Sequence, residues 1–228
     1  MADYHADQEQ LDALRRWWKR YGTVLALTAL VIAGGGFGWQ QWQRSRERAA
    51  EAASLVYEQM MNGVTSAPLQ DLDPKRIEAM TAAAQKLKAD YGDTQYAALA
   101  GLMLARIAAS RDDLDSAAAE LRSVMQHSRD RELAWIAQLR LVRVLAAQEK
   151  YDEALSLAEA KVPEAMVGPF AEARGDIRLR RGDVTGARGD YQAALEHLGG
   201  REGLAKSLLE MKLNQVQSPQ VAAQEATP

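Results

Sequence analysis

The chain of 228 residues contains no cysteine and only three histidines. The absence of cysteine excludes disulfides, thiolate metal sites and the lipid anchor of a lipoprotein, which is attached to a cysteine. The histidines His5, His127 and His197 stand far apart, and none has a second metal ligand three or four residues away on its own predicted helix. The sequence therefore predicts solvated surface histidines and no metal site.

Motifs for nucleotide binding and hydrolysis are also missing. The chain has no glycine-rich phosphate loop, no G-x-S-x-G nucleophile motif and no H-E-x-x-H zinc motif. A net charge of -3 gives no electrostatic basis for binding nucleic acid. These absences predict a protein that is not an enzyme, with no catalytic residues, no cofactor and no nucleic-acid partner.

What the chain does have is a long run without charge, residues 22–39, close to its N-terminus. As a helix this run is roughly 27 Å long, close to the thickness of the hydrocarbon core of a bilayer. Four of the five tryptophans flank it, where a membrane helix meets the lipid headgroups: Trp17, Trp18, Trp39 and Trp42. The pattern predicts a transmembrane helix over residues 22–42, surrounded by membrane lipid.

A cleaved signal peptide is the alternative interpretation of this segment. Basic residues precede the run, as they do in signal peptides, but the run is longer than usual and bulky aromatic residues follow it. An uncleaved anchor is therefore favoured. Four basic residues precede the run and three follow it. This small difference favours a cytoplasmic N-terminus and a C-terminal part outside the cytoplasm.

Inside the run, Gly34 and Gly38 form a G-x-x-x-G pair. Small residues at this spacing let two membrane helices approach closely, so the pair is a candidate contact with a partner helix. The alternative is that these glycines reflect only the frequency of glycine in membrane helices.

Beyond the run, the composition favours helix throughout, and no sustained alternation of period two indicates a strand. No proline or glycine lies between Trp39 and Asn62, so the helix after the run is predicted to continue the membrane helix. The predicted helices beyond the run cover residues 44–63, 74–90, 94–110, 114–127, 130–148, 151–161, 166–181, 184–197 and 201–214.

Three polar turns lead into helices that carry alanine at the same place, at Ala117, Ala154 and Ala187. The alanines are 37 and 33 residues apart. A period near 34, with small residues where paired helices cross, is typical of tetratricopeptide repeats. A generic helical bundle is the alternative. The last helix carries a broad apolar stripe and is predicted to cap the stack: Leu204, Leu208, Leu209 and Leu213.

The predicted organisation is an all-α chain with one transmembrane helix and a helical solenoid. Its segments are a cytoplasmic head (1–21), the transmembrane helix (22–42), a helical stalk and linker (43–73), the tetratricopeptide-repeat-like domain (74–214) and a disordered tail (215–228).

Such a solenoid presents the first helix of each pair to its partners. Alignment of the units places three charged residues at one equivalent inward-facing position, Arg106, Arg143 and Asp176. Leu102, Leu139 and Glu172 precede them by one turn. We expect a groove with apolar and basic lining that suits an extended or acidic peptide; the alternative is that the arginines form a solvated face.

With the anchor and the repeats placed, the chain resembles the YfgM-type ancillary subunits of the bacterial Sec translocon. The resemblance covers nearly the whole chain and rests on the order of several segments: QEQ at 8–10, RRWW at 15–18, GWQQW at 38–42, AASLVY at 52–57, YAALA at 96–100, RGD at 174–176, GDVTGAR at 182–188 and MKLN at 211–214.

The resemblance implies a single-pass inner-membrane protein whose C-terminal domain is periplasmic. It implies association with the SecYEG channel and with the membrane-anchored periplasmic chaperone PpiD. The implied role is to help pass unfolded, newly translocated proteins to periplasmic chaperones. Two alternatives remain: a membrane-tethered scaffold for another envelope complex, and a soluble periplasmic repeat protein released by signal cleavage.

Overall fold

The structure is a computed structural model that describes residues 3–62, 72–198 and 203–217, with the side chains of residues 3–16, 23–26, 29–31 and 33 outside the described set. Within these ranges the chain forms helices and turns and no strand, which confirms the all-α class. The helices are α1 (Asp3–Met61), α2 (Pro74–Asp90), α3 (Gln95–Ser110), α4 (Leu114–His127), α5 (Arg131–Ala147), α6 (Tyr151–Ala158), α7 (Glu164–Arg180), α8 (Val184–Glu196) and α9 (Leu204–Gln217).

The backbone divides into two compact units, Met1–Glu51 and Ala52–Pro228, and α1 contributes residues to both. This helix is unbroken from Asp3 to Met61. Its continuity confirms the prediction made from the lack of proline and glycine between Trp39 and Asn62.

In the first unit, the four tryptophans that flank the uncharged run are all exposed. The rings of Trp39 and Trp42 lie 5.1 Å apart, and the guanidinium of Arg46 lies 4.7 Å from the ring centroid of Trp42. Among the described residues, no helix combines the length and the apolar character needed to cross a membrane. Several side chains of the predicted run 22–39 lie outside the described residues.

In the second unit, α3 to α8 form three helix pairs with the same turn between their two helices. The turn residues Asp112, Glu149 and Gly182 all have left-handed backbones, with φ of 60°, 62° and 83°. In each turn the following amide donates to the carbonyl five residues earlier, at 2.9–3.0 Å. This is a Schellman-type helix end. Because the three turns are spaced like the three alanines, the backbone itself repeats with the predicted period.

Small residues mark the crossing of the two helices in each pair. Ala117, Ala154 and Ala187 are fully buried. In the third pair, a Cβ added to Gly175 would lie 2.6 Å from the nearest ring carbon of Tyr191, closer than real Cβ contacts come. The helices α7 and α8 therefore approach to a distance that only glycine permits at this position.

A buried carboxylate joins the third pair to the second. Asp190 of α8 has a side chain only 6% exposed, and it accepts hydrogen bonds from Arg174 at 3.0 Å and Arg178 at 2.7 Å, both on α7. Arg174 also donates to the carbonyl of Ala158, the last residue of α6. One carboxylate and two guanidinium groups thus connect three helices.

The short helix α6 ends at Ala158, three residues before the predicted end at residue 161. Its last carbonyls have no partners within the helix, and side chains from neighbouring helices satisfy two of them. Gln138 donates to the carbonyl of Leu157 at 2.7 Å, and Arg174 donates to that of Ala158 at 3.1 Å. The helix therefore ends before residues 159–161, and its last carbonyls accept hydrogen bonds from side chains of α5 and α7. Sequence periodicity does not reveal these contacts.

The C-terminal part of α1 and the helix α2 precede these pairs and cover their first end. Ala53, Val56 and Met60 of α1 are buried in one cluster with Met80 and Leu87 of α2 and with residues of α3. The start of α2 also follows the sequence prediction, because Pro74 is its first residue and the side chain of Asp73 caps it.

At the other end α9 packs against α8, but with only part of the predicted stripe. Leu209 and Val216 are buried, and Leu213 is partly buried against the same cluster. Leu204 and Leu208, which the predicted cap would bury, are 76% and 44% exposed. The helix continues to Gln217, into the segment predicted as disordered, and Val216 of that segment is buried. The rest of that segment, residues 218–228, lies outside the described residues.

The close approach at Gly175 gives a test of the packing in the third pair. Substitution of Gly175 by Ala is expected to lower the free energy of unfolding by about 1–3 kcal/mol, because the buried Tyr191 ring must move. Gly189, in the middle of α8, has no heavy atom within 4 Å of its added Cβ. Gly189→Ala is therefore the matched control and should raise stability by up to about 1 kcal/mol. Urea denaturation measures both variants, and changes of the same sign would contradict the packing.

Candidate peptide-binding surface

The first helices of the three pairs form one layer. α3 contacts α5 directly, and α5 contacts α7, although each is separated from the next by a complete second helix in the sequence. In a helical solenoid such a layer is the surface that partners meet. The candidate surface therefore consists of side chains on α3, α5 and α7.

Three arginines lie together on this layer: Arg106 of α3, and Arg140 and Arg143 of α5. We call them the arginine cluster. All three are exposed. Partial burial lowers the pKa of the Arg140 guanidinium, and the positive charges of Arg106 and Arg143 lower it further. Because α3 contacts α5 and Arg140 lies three residues before Arg143 on α5, the three positive charges lie near one another on this layer, as their effect on the pKa of Arg140 indicates.

Within the described part of the chain, no carboxylate forms an ion pair with any member of the arginine cluster. Other cations of the same domain do have such partners. Arg122 lies 2.6 Å from Glu153, and Arg181 lies 2.7 Å from Asp152. The arginine cluster is thus a local excess of positive charge on a chain whose net charge is -3.

The third helix of the layer has the opposite character. Glu172 and Asp176 of α7 both bind the ammonium group of Lys212 on α9, with oxygens 2.8 Å from its Nζ. Burial lowers the pKa of Lys212, but these hydrogen bonds and charges outweigh burial and raise the pKa overall. The hydroxyl of Tyr191 also donates to Asp176 at 2.8 Å. The carboxylates of α7 are therefore engaged by α8 and α9.

The predicted groove residues consequently fall into three environments. Arg106 and Arg143 share the surface, as the alignment of the units placed them. Asp176 belongs to the network around Lys212. Leu102 and Leu139 are only 6% and 9% exposed and belong to the core, so they fix the helices in place and do not line an open groove.

Sequence alignment of the units missed Arg140. The residue lies three positions before Arg143, so both project from one side of α5. This three-residue spacing could have identified Arg140 from the sequence. Arg140 was missed because it does not lie at the position that Arg106, Arg143 and Asp176 share. The structure adds Arg140 because α3 brings Arg106 beside it.

The glycines of the predicted membrane contact lie in the first unit. Gly34 and Gly38 are four residues apart and therefore on one side of α1. A Cβ added to either glycine would meet no heavy atom within 4 Å. Among the described residues, the space beside these two glycines is therefore open.

Candidate metal ligands of the described residues do not come together as the three arginines do. Among the described residues, no three His, Asp or Glu side chains are grouped so that they could hold a metal ion. His127 lies 3.0 Å from the carbonyl of Ser123, and His197 lies 2.8 Å from Glu164.

Comparison with known proteins agrees with this architecture. The family model described as a tetratricopeptide repeat-like domain matches residues 15–218. The chain is 31% identical to the ancillary SecYEG translocon subunit of Escherichia coli (strain K12), over 86% of this chain and 90% of that protein. It is 30% identical to the protein of the same name from Haemophilus influenzae, over 91% and 96%. A third protein of that name, from Aggregatibacter actinomycetemcomitans, is 29% identical over 91% and 96%.

The repulsion within the arginine cluster gives a second test. Arg140→Gln is expected to raise the free energy of unfolding by about 0.2–0.5 kcal/mol, because it relieves repulsion from Arg106 and Arg143. The gain should shrink at high salt, which screens exposed charges. Arg122→Gln, which removes a paired arginine, is the control and should cost up to about 1 kcal/mol. Urea denaturation at low and high salt measures both; a loss of stability in Arg140→Gln would show that this guanidinium is stabilising instead.

Proposed function

Because the chain belongs to the family of ancillary SecYEG translocon subunits and carries its tetratricopeptide repeat-like domain, we propose that it is a non-enzymatic partner of the SecYEG channel in the bacterial inner membrane. The observation that carries the proposal is the extent of the similarity. Relatives of that name match over 86–91% of this chain and 90–96% of their own length. The family model covers residues 15–218, which include the uncharged run as well as the helical domain.

In this proposal residues 22–42 form the membrane anchor. The uncharged run at 22–39 and its flanking tryptophans support the assignment. The exposure of the described tryptophans on α1 also supports it, since amphipathic rings at the headgroup level face outward from a membrane helix. Gly34 and Gly38 form the side of the anchor that meets a helix of the channel or of another membrane partner.

The helical domain then lies in the periplasm, where it meets PpiD and newly translocated, unfolded proteins and helps pass these to periplasmic chaperones. The layer formed by α3, α5 and α7 supports this role, since the first helices of a solenoid are its usual partner surface.

Site-specific photo-crosslinking tests the association. A photoreactive residue at Gly34 or Gly38 of the full-length chain is expected to give adducts with a channel subunit, identified by mass spectrometry. Gly36, two residues away, faces the other side of the same helix and is the matched control, with fewer channel adducts expected. A photoreactive residue at the exposed Leu208 of α9 tests PpiD. The absence of channel adducts from every position would refute the proposal and favour a scaffold for another envelope complex.

Protease treatment of intact spheroplasts tests the topology. With a cytoplasmic N-terminus, added protease should digest the helical domain and leave a protected fragment that contains the N-terminal head and the anchor. Lysed spheroplasts provide the control, in which the head is also digested. Protection of the helical domain in intact spheroplasts would reverse the proposed orientation, and its release into the periplasmic fraction would indicate signal cleavage.

A further inference from the structure

We propose that the arginine cluster binds an extended acidic segment of a partner protein, with carboxylates on alternate residues. This inference rests on the proposed role of the helical domain as the partner-binding part of the chain. It goes further because it names the three residues that make contact and the chemistry of the segment that they recognise.

The first argument is the unbalanced charge. Arg106, Arg140 and Arg143 are exposed, share one surface and have no ion pair within the described ranges. Three positive charges held together in this way repel one another, and an arriving anion removes that repulsion. Guanidinium groups bind carboxylates through two parallel hydrogen bonds, so an acidic side chain is a fitting partner.

The second argument is that the cluster stands on a fixed base. Leu102 lies one turn before Arg106, and Leu139 lies one turn before Arg143, and both leucines are buried in the core. The helices that carry the arginines are therefore held in position before a partner arrives. Less ordering is needed on binding when the backbone of the site is already fixed.

The third argument is spacing. Arg106 and the α5 arginines stand on directly packed helices, and the axes of packed helices lie about 8–10 Å apart. Alternate side chains of an extended chain point the same way and are separated by about 6.8 Å. Long arginine side chains can cover this small difference. An extended segment that crosses from α3 to α5 can therefore place carboxylates near both helices.

The fourth argument is where the positive surface ends. On α7 the layer carries Glu172 and Asp176, two carboxylates that share the single charge of Lys212. An acidic segment that continued over α7 would meet these carboxylates. The complementary part of the ligand is therefore short and limited to α3 and α5, with neutral or basic residues beyond.

The probe for this inference is a short fluorescent peptide with glutamate at alternate positions, and its two controls carry glutamine or lysine at the same places. Fluorescence anisotropy measures binding to the full-length chain in non-ionic detergent. We expect binding of the glutamate peptide only, with an affinity that falls as salt is raised. The triple variant Arg106→Gln, Arg140→Gln, Arg143→Gln should bind the glutamate peptide with an affinity at least about tenfold lower.

Two further variants separate the cluster from general effects of charge and folding. The matched control removes three exposed cations elsewhere, by Arg76→Gln, Arg131→Gln and Lys161→Gln, and should leave the affinity within about twofold. The charge-reversed variant Arg106→Glu, Arg140→Glu, Arg143→Glu should lose the glutamate peptide and bind the lysine peptide. Such a gain of binding cannot arise from a failure to fold.

Several results would overturn the inference. These are equal binding of the glutamate and glutamine peptides, no binding of the glutamate peptide, and unchanged binding in the triple glutamine variant. Binding of vesicles that contain phosphatidylglycerol, without binding of the peptide, would assign the cluster to anionic lipid instead. Co-purification of SecYEG with each variant separates the two proposals. If the channel co-purifies and the peptide does not bind, only this inference fails; if the channel never co-purifies, the proposed function fails.

Discussion

The helical domain depends on the crossing of paired helices at alanine and glycine. Ala117, Ala154 and Ala187 have no exposed surface, and Gly175 lies against the ring of Tyr191 where even a methyl group would collide. Side chains of this size allow two helices to pack with their backbones close. Leu121 and Ala158, one turn after two of these alanines, are buried in a core that includes residues of both the first and the second pair.

The candidate surface follows from this stacking. Because each pair packs closely, α5 contacts both α3 and α7 directly, and the three first helices present one layer. Arg106 on α3 is brought beside Arg140 and Arg143 on α5, although more than thirty residues separate them in the chain. On α7 the equivalent position is Asp176, which Lys212 of the last helix engages. The layer thus changes from basic to acidic along its length.

Much of this fold was predictable from the sequence, because its period and its turn residues are local signals. The bounds of α2 and α4 agree with the prediction, since the side chains of Asp73 and Asp113 cap the first turns of these helices. The face of α9 was not predictable. It carries two apolar stripes, and α8 covers the one with Leu209 and Val216 and leaves Leu204 exposed. Periodicity identifies a stripe but does not identify which stripe a neighbouring helix will cover.

The candidate site shows the same limit. Alignment of the units placed Arg106 and Arg143 at equivalent positions, but it also offered Leu102 and Leu139 as lining, and these are core residues. The buried pairing of Asp190 with Arg174 and Arg178 had no sequence signal, because it depends on the close approach of α7 and α8. Contacts of this kind depend on the tertiary distance between helices.

The three equivalent turns have a consequence for how the domain opens. Only the third has glycine at the left-handed position; Asp112 and Glu149 occupy it in the other two. The left-handed conformation costs a residue that has a Cβ roughly 1–2 kcal/mol of free energy, and it costs aspartate less. In a solenoid each unit contacts only its neighbours, so this cost is felt locally. The middle turn, which holds Glu149 in this conformation, therefore carries the largest local cost, and the third turn, which has Gly182, carries the smallest.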